Sequence, residues 1–165
     1  DASFDTGATV DQVVARVRYM AKALDCKIII LDHISILVSG GQHGDERKAL
    51  DEIMTKLRSL TQDTGITLFA VSHLKRPEGK GHEEGAATSV AQLRGSASIA
   101  QLSDFVIGLE RNGQAEDPTE RNTTNMRVLK NRFSGITGPA GSLLYNGQTG
   151  RLSEFTPPEE EDVIL

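Results

Sequence analysis

The stretch KIIILDHISILVSGG, residues 27–41, places Asp32 and His33 directly after four consecutive aliphatic residues. Burying one such side chain contributes roughly 1.5–3 kcal/mol, and an apolar run without alternation is typical of a strand covered on both faces. An ionised carboxylate buried within that strand would cancel much of this gain. We therefore expect Asp32 at the exposed end of the strand, paired or holding a cation, with a simple turn residue as the alternative.

The bulk composition limits the class of protein. A chain of 165 residues is long enough for about one domain with a real core. The net charge of −5 argues against a protein coated in basic surface, so any nucleic-acid contact would come from local clusters. A single cysteine, Cys26, excludes a disulfide framework and predicts a reducing intracellular compartment. No apolar run approaches the length of a membrane span, so no membrane partner is expected.

The two ends of the sequence suggest an excerpt of a longer polypeptide. The N-terminus has neither an initiating Met nor a signal pattern. Residues 156–165, TPPEEEDVIL, form an acidic segment with two prolines near its start. We expect one domain over residues 1–155, followed by a disordered tail, with a partner-binding tail as the alternative.

Hydrophobic periodicity predicts helix, strand, helix and strand in the first half. Apolar residues recur on one helical face before the aliphatic strand, and Thr9 and Gln12 have capping-box spacing. That face comprises Val10, Val13, Val14, Val17 and Leu24. A second helix, ended by Gly65, buries Leu50, Ile53, Met54, Leu57 and Leu60. The strand ITLFAVSHLK follows, so this half predicts a βαβ unit with a parallel sheet.

The second half begins with an exposed loop and continues with strands. KRPEGKGHEEGAATSV, residues 75–90, contains too much Gly, Pro and charge to pack. A helical stretch broken at Gly95 follows, then the strands FVIGLE and NMRVLKNR, and finally GSLLYN and GRLSEF as an antiparallel pair. The predicted fold class is α/β, with a mostly parallel sheet flanked by helices and a C-terminal antiparallel pair.

Asp32 and His73 follow two consecutive parallel strands and are therefore expected at the same edge of the sheet. In nucleoside-triphosphate hydrolases of the P-loop class, a strand-end Asp holds Mg²⁺ and a polar residue on the neighbouring strand senses the terminal phosphate. An aliphatic strand that ends in Asp also occurs in many other α/β proteins. For His73, the alternative is a histidine at a strand end that only makes structural hydrogen bonds.

Six segments together carry a family resemblance. They are IIILDHISILVS, DERKALDEIMTKL, VSHLKRPEGKGHEEG, LRGSASIAQLSDFVIGLERN, LKNRFSG and GSLLYNGQTG. In this order and spacing, from about Ala15 to Phe155, the sequence resembles the C-terminal half of the helicase domain of short-tailed phage primase-helicases, which are DnaB-type ring helicases. The resemblance implies a RecA-like P-loop ATPase core truncated at its N-terminus. It also implies a hexamer that translocates on single-stranded DNA and unwinds duplex DNA with Mg²⁺ and ATP or dTTP.

The resemblance implies roles for residues at the nucleotide. Asp32 matches the Walker B aspartate that acts on Mg²⁺, and His73 matches the residue that reads the γ-phosphate. Arg132 matches the arginine finger inserted into the neighbouring subunit's site, with Lys130 as an assistant. Arg111 and Tyr145 match the residues that flank the nucleotide base, although a surface Arg and a half-buried Tyr are the alternatives.

The resemblance also implies a DNA-binding side formed by loops. It assigns to this side the segment after Asp32 up to about Gly44, and the residues Lys75, Arg76, Lys80 and Arg94. These loops contain no aromatic residues, which favours gripping of phosphates over stacking of bases. Gln101 matches a glutamine that links the nucleotide site to the DNA loops, with simple hydrogen bonding as its alternative.

One motif of a working motor is missing from the sequence. GITGPAGS, residues 135–142, has the glycines and the Ser of the phosphate-binding loop G-x-x-x-x-G-K-[ST] but not its Lys. We therefore expect little hydrolysis by this segment alone. The alternatives are a single-stranded-DNA-binding or oligomerisation module without motor activity and a RecA-type recombinase. The resemblance places the parent in the cytoplasm of a phage-infected bacterial cell, with a DNA polymerase as a candidate partner of the acidic tail.

Overall fold

The computed structural model describes residues 9–34, 43–77, 79–93 and 97–156. These ranges contain four α-helices and six β-strands, and they divide into two compact units. The described residues before Arg76, together with Leu93–Ser103, form the first unit, and the remainder form the second. None of the helices in these ranges is long and apolar enough to cross a membrane.

Helix α1, Val10–Lys22, begins at the predicted capping box. The Thr9 hydroxyl accepts from the Gln12 N–H at 3.3 Å, and the Gln12 side chain accepts from the Thr9 N–H at 2.9 Å. The helix ends earlier than predicted: Ala23 is its C-cap, and beyond it Asp25 adopts a left-handed conformation with φ of 53° before the first strand. Leu24 therefore lies beyond the helix and is 56% exposed, so its predicted place on the buried face is wrong.

The predicted βαβ unit is confirmed. Strand β1, Ile28–Leu31, and strand β2, Thr67–Ala70, are parallel and flank helix α2, His43–Thr64. Helix α2 stops before Gly65, whose φ of +69° is a conformation that glycine adopts without strain. The core of the first unit is built from α1, α2 and one face of β1, and its fully buried members are Val13, Ile34, Leu50, Ile53 and Leu60.

Strand β1 is not covered on both faces within the first unit, contrary to the prediction. Ile29 and Leu31 are buried, but Ile28 is 64% exposed and Ile30 is 71% exposed. Phe69, which pairs with Ile30 across the two-stranded sheet, is also exposed. The reason is geometric: the core formed with α1 and α2 takes up only the Ile29 and Leu31 side of the strand, and successive side chains of a strand point to opposite faces.

The end of the first unit and the start of the second contain short helical elements. A 3₁₀ turn spans Val90–Gln92, and helix α3 spans Ala97–Leu102 with Ile99 and Ala100 buried. Gly95, the predicted break, lies outside the described residues.

The second unit is a four-stranded antiparallel sheet. It consists of β3 (Phe105–Arg111), β4 (Thr123–Asn131), β5 (Gly138–Asn146) and β6 (Arg151–Phe155), in that spatial order. The fold class is α/β as predicted and the β5–β6 pair is antiparallel, but the expectation of a mostly parallel sheet is wrong. The connections after β3 are too short for parallel crossovers, which need a dozen or more residues.

Helix α4, Pro118–Asn122, lies in the β3–β4 connection and was not predicted from the sequence. Its signal is an N-cap Asp117, which accepts from the Glu120 N–H at 2.7 Å, followed by a proline at the first helical position.

Candidate nucleotide and DNA site

Parallel pairing continues past the ends of β1 and β2 and brings Asp32, His33 and His73 to one edge of the sheet. The Val71 N–H donates to the Leu31 carbonyl at 2.9 Å, and the Ile34 N–H donates to the Val71 carbonyl at 3.0 Å. These bonds hold the segments after the two strands side by side. The sequence-based expectation that Asp32 and His73 meet at one edge is therefore confirmed in its geometry.

Asp32 lies at the exposed end of β1, as expected. Across the described ranges, no group of three or more His, Cys, Asp or Glu side chains could hold a metal ion by itself. Mg²⁺ usually keeps several waters and takes one or two carboxylates plus the phosphates of a nucleotide. A single exposed carboxylate fits that mode of binding.

The rings of His33 and His73 stack on each other. Their centroids are 4.1 Å apart and the planes are tilted by 31°. His33 follows the aliphatic run in the sequence, and no role was predicted for it. Its position near His73 could have been predicted, because a residue next to Asp32 must also lie near the end of the neighbouring parallel strand.

Arg111 and Tyr145, two residues predicted to flank the nucleotide base, lie next to each other in the second unit. The guanidinium carbon of Arg111 is 5.8 Å from the centroid of the Tyr145 ring. The Arg111 Nε donates to the Arg121 carbonyl at 2.7 Å, and its Nη2 donates to the Asn122 Oδ1 at 3.1 Å. Helix α4 therefore fixes the guanidinium from the side, and the pair presents two flat groups on one face of the sheet.

Arg132, the predicted finger, directly follows β4 and is 44% exposed. Its Nε lies 3.0 Å from the Oδ1 of Asp104, and its backbone N–H donates to the Asp104 carbonyl at 2.8 Å. Asp104 was not predicted, although the register of a β3–β4 hairpin could have found it. Lys130 lies within β4 opposite Val106.

Strand β3, which carries Arg111, also contributes Glu110 to a buried ionic network. Glu110 is only 7% exposed and accepts hydrogen bonds from the Thr88 N–H at 2.7 Å, the Thr88 hydroxyl at 2.9 Å and the Arg127 Nε at 2.7 Å. Burial by itself would raise the pKa of Glu110, but the bonds from Arg127 and Thr88 outweigh it, so the pKa lies below its ordinary value. The hydrogen bond to Glu110 in turn raises the pKa of Arg127.

This network corrects the prediction that residues 75–90 are too polar to pack. Thr88 is 5% exposed, and a Cβ placed at Gly108 would lie 1.9 Å from its hydroxyl oxygen. The glycine in β3 therefore makes room for Thr88, and the C-terminal part of the loop is packed. Among the other described residues of the loop, Gly81 is buried, whereas Lys75, Arg76, Lys80, Glu83 and Glu84 are exposed, and Arg76 lies 3.7 Å from Glu83.

The predicted DNA-binding residues are only partly described. Lys75 is exposed at the end of the first unit, whereas Arg76 and Lys80 are exposed in the second. Gln101 is an exposed residue of α3. Arg94, the loop residues 35–42 and the acidic residues 157–165 lie outside the described residues.

Comparison with known proteins agrees with the predicted family. Residues 3–154 match the family described as DnaB-like helicase C terminal domain. The chain is 48% identical over 157 residues to a DNA helicase/primase of Enterobacteria phage T3, covering 93% of this chain and 27% of that protein. It is 25% identical over 139 residues to the replicative DNA helicase DnaC of Bacillus subtilis, covering 83% of this chain and 29% of that protein.

The fold also matches a solved structure of a DnaB-like replicative helicase, described with its interactions with primase. The TM-score is 0.68 at 18% identity, with 91% of this chain and 36% of that chain covered. The chain thus spans 27% and 29% of the length of the two relatives named above. The match over residues 3–154 and the identity to the phage protein lead to one conclusion: the chain belongs to the DnaB-like helicase C-terminal domain family.

Proposed function

We propose that this chain is part of a replicative DNA helicase that uses a nucleoside triphosphate to translocate on single-stranded DNA as a hexamer. The observation that carries the proposal is the meeting of Asp32 and His73 at one sheet edge, in a chain 48% identical to a phage DNA helicase/primase. A carboxylate that can hold Mg²⁺ and an imidazole that can donate to a phosphate, both placed after the ends of adjacent parallel strands, fit a nucleoside-triphosphate site at this edge.

Asp32 would hold Mg²⁺, and the bound ion would neutralise charge on the phosphates of ATP or dTTP. The His73 ring is exposed and lies against the His33 ring, at the sheet edge that also carries Asp32. It could therefore hydrogen-bond to the terminal phosphate of a nucleotide bound at this edge. Loss of that phosphate on hydrolysis removes the hydrogen bond. His73 would thereby report the state of the nucleotide to the segment that leads to Lys75.

Arg132 would act in the site of a neighbouring subunit. A half-exposed ion pair such as Arg132–Asp104 contributes only about 0–1 kcal/mol, because solvent screens it. The guanidinium can therefore leave Asp104 for a phosphate at low cost, and it would then stabilise the charge that develops during hydrolysis. Lys130, two residues earlier, would assist by adding positive charge.

Arg111 and Tyr145 would hold the nucleotide base. Base stacking on an aromatic ring contributes about 1–3 kcal/mol and tolerates different bases. This tolerance suits a site that accepts ATP or dTTP. The side-on contacts of Arg111 with α4 restrict its rotamers, so less conformational entropy is lost when the base binds.

Lys75, Arg76, Lys80 and Arg94 would contact the phosphates of the DNA strand, with Gln101 linking them to the nucleotide site. The packed end of the loop at Thr88 gives its exposed N-terminal part a fixed support. We also propose that residues 1–155 belong to one RecA-like domain, and a DNA polymerase remains the candidate partner of the acidic segment 156–165. The host would be a phage-infected bacterial cell.

A chimera tests the proposal directly. Residues 3–154 replace the matching segment of the T3 phage DNA helicase/primase, and the purified chimera is assayed with Mg²⁺ for hydrolysis of ATP and dTTP. We expect hydrolysis stimulated by single-stranded DNA, and unwinding of a forked duplex. A hexamer that binds DNA without hydrolysis would instead show a module without motor activity. Strand exchange without unwinding would show a recombinase.

A further inference from the structure

We propose that His33 is a positioning residue for His73: its ring stacks on the His73 ring and fixes the direction in which that imidazole points. The inference rests on the proposed function, in which His73 meets the terminal phosphate. The contact itself is the ring pair, with centroids 4.1 Å apart and planes tilted by 31°.

His33 is well placed to act as a fixed support. The next residue, Ile34, is 1% exposed, and its N–H donates to the Val71 carbonyl at 3.0 Å. The His33 side chain is half-buried, whereas His73 is exposed. The anchored ring therefore restrains the exposed one. An exposed side chain without such a neighbour would populate several rotamers.

The contact depends on the ring and not on a hydrogen bond from its buried nitrogen. The Nδ1 of His33 is buried and has no hydrogen-bond partner among the residues that the structure describes. A phenylalanine ring would cover the same face of His73 without burying an unpartnered polar atom. The proposal therefore predicts that His33→Phe keeps the function of the pair, whereas His33→Ala and His33→Leu lose it. Leucine is the matched control, because it fills most of the space without providing a ring.

The test uses the complete helicase that carries this segment. Hydrolysis is measured with and without single-stranded DNA, and hexamer formation and thermal unfolding are followed for each variant. We expect His33→Ala and His33→Leu to lower the DNA-stimulated kcat about tenfold, since a misplaced catalytic group reduces rate steeply. The KM for the nucleotide and the hexamer should change little. His33→Phe should stay within about twofold of the parent, because the positioning ring is retained.

Two results would overturn the proposal. The first is a kcat for His33→Phe as low as that for His33→Ala, because the imidazole nitrogen would then be the active group. The second is a kcat for His33→Ala and His33→Leu equal to that of the parent.

Crystal structures of the variants test the positioning role of His33 independently of the phosphate-sensing role of His73. If His73→Ala leaves DNA-stimulated hydrolysis unchanged, the phosphate-sensing role of His73 fails. The positioning role is then decided by the ring of His73, which should be ordered in the parent and in His33→Phe but not in His33→Ala. An ordered His73 ring in His33→Ala would refute the positioning role.

Discussion

The side chain of Arg132 is held by Asp104, with Nε to Oδ1 at 3.0 Å, while the backbone of the same two residues is joined by a hydrogen bond of 2.8 Å. The backbone bond fixes where β4 ends relative to the start of β3. The ion pair is half-exposed, so it orients the guanidinium without trapping it. The contributions of Arg132 and Asp104 to hydrolysis can therefore be distinguished by separate mutations.

Arg132→Ala should abolish hydrolysis in the complete helicase, because removing an arginine finger lowers the rate by about 10³–10⁵-fold in other nucleotide hydrolases. Asp104→Asn should change the rate no more than about fivefold, because a solvent-screened ion pair contributes at most about 1 kcal/mol. Steady-state hydrolysis measures both. In mixed hexamers, Arg132→Ala subunits should still form competent sites with wild-type neighbours, and absence of such rescue would contradict a finger that acts in trans.

Asp32→Asn should remove hydrolysis and leave hexamers intact, because the neutral amide no longer holds Mg²⁺. Hydrolysis and size-exclusion chromatography measure the two effects. Asp25→Asn is a matched control before the same strand, and Asn tolerates the left-handed φ of 53° found there. Normal turnover by Asp32→Asn would remove Asp32 from the magnesium site.

Glu110→Gln should destabilise the fold by about 1–3 kcal/mol, since it weakens hydrogen bonds to a buried carboxylate. The pKa of Glu110 is lowered in the folded state from an ordinary value of 4.5, so its contribution is complete above that pH and is lost as the pH falls through the lower, folded value. Denaturant unfolding at neutral pH and in acid measures this. Parent and variant should differ at neutral pH and converge in acid, whereas the exposed control Glu154→Gln should match the parent throughout.

Replacing Lys75, Arg76 and Lys80 with Ala should weaken single-stranded-DNA binding and flatten its salt dependence. Each lost phosphate contact lowers the slope of log K against log salt by about 0.7 on a single strand, so three should lower it by about 2. Binding titrations over a range of salt concentrations measure this slope. The control replaces the exposed Arg18, Lys22 and Lys48, with the same change in charge. Equal slopes for the two variants would show that the loop does not contact phosphate.

Tyr145→Ala should raise the KM for ATP about tenfold with little change in kcat, because a lost stacking contact is worth about 1–3 kcal/mol. Tyr145→Phe should behave like the parent, since the ring remains. Initial-rate measurements over nucleotide concentration distinguish the two. A KM for Tyr145→Ala equal to that of the parent would place the base elsewhere.

Local patterns in the sequence determined the first unit and the family. The capping box of α1, the buried stripe of α2 and the glycine at its end are short-range features, and each is found as predicted. The juxtaposition of Asp32 and His73 also followed from sequence, because consecutive parallel strands must end at the same edge. The order and spacing of six motifs were sufficient for the family.

Only the tertiary structure decided the features that depend on long-range register and on what covers each face. Three such features are the exposure of Ile28 and Ile30, the antiparallel pairing of β3 with β4, and the contact of Thr88 with Glu110. No local sequence pattern predicts them, because each depends on residues that are distant in sequence. The same holds for the stack of His33 on His73 and for the pair of Asp104 with Arg132. The physical reason is that a residue's propensity is local, whereas its partners are chosen by packing across the fold.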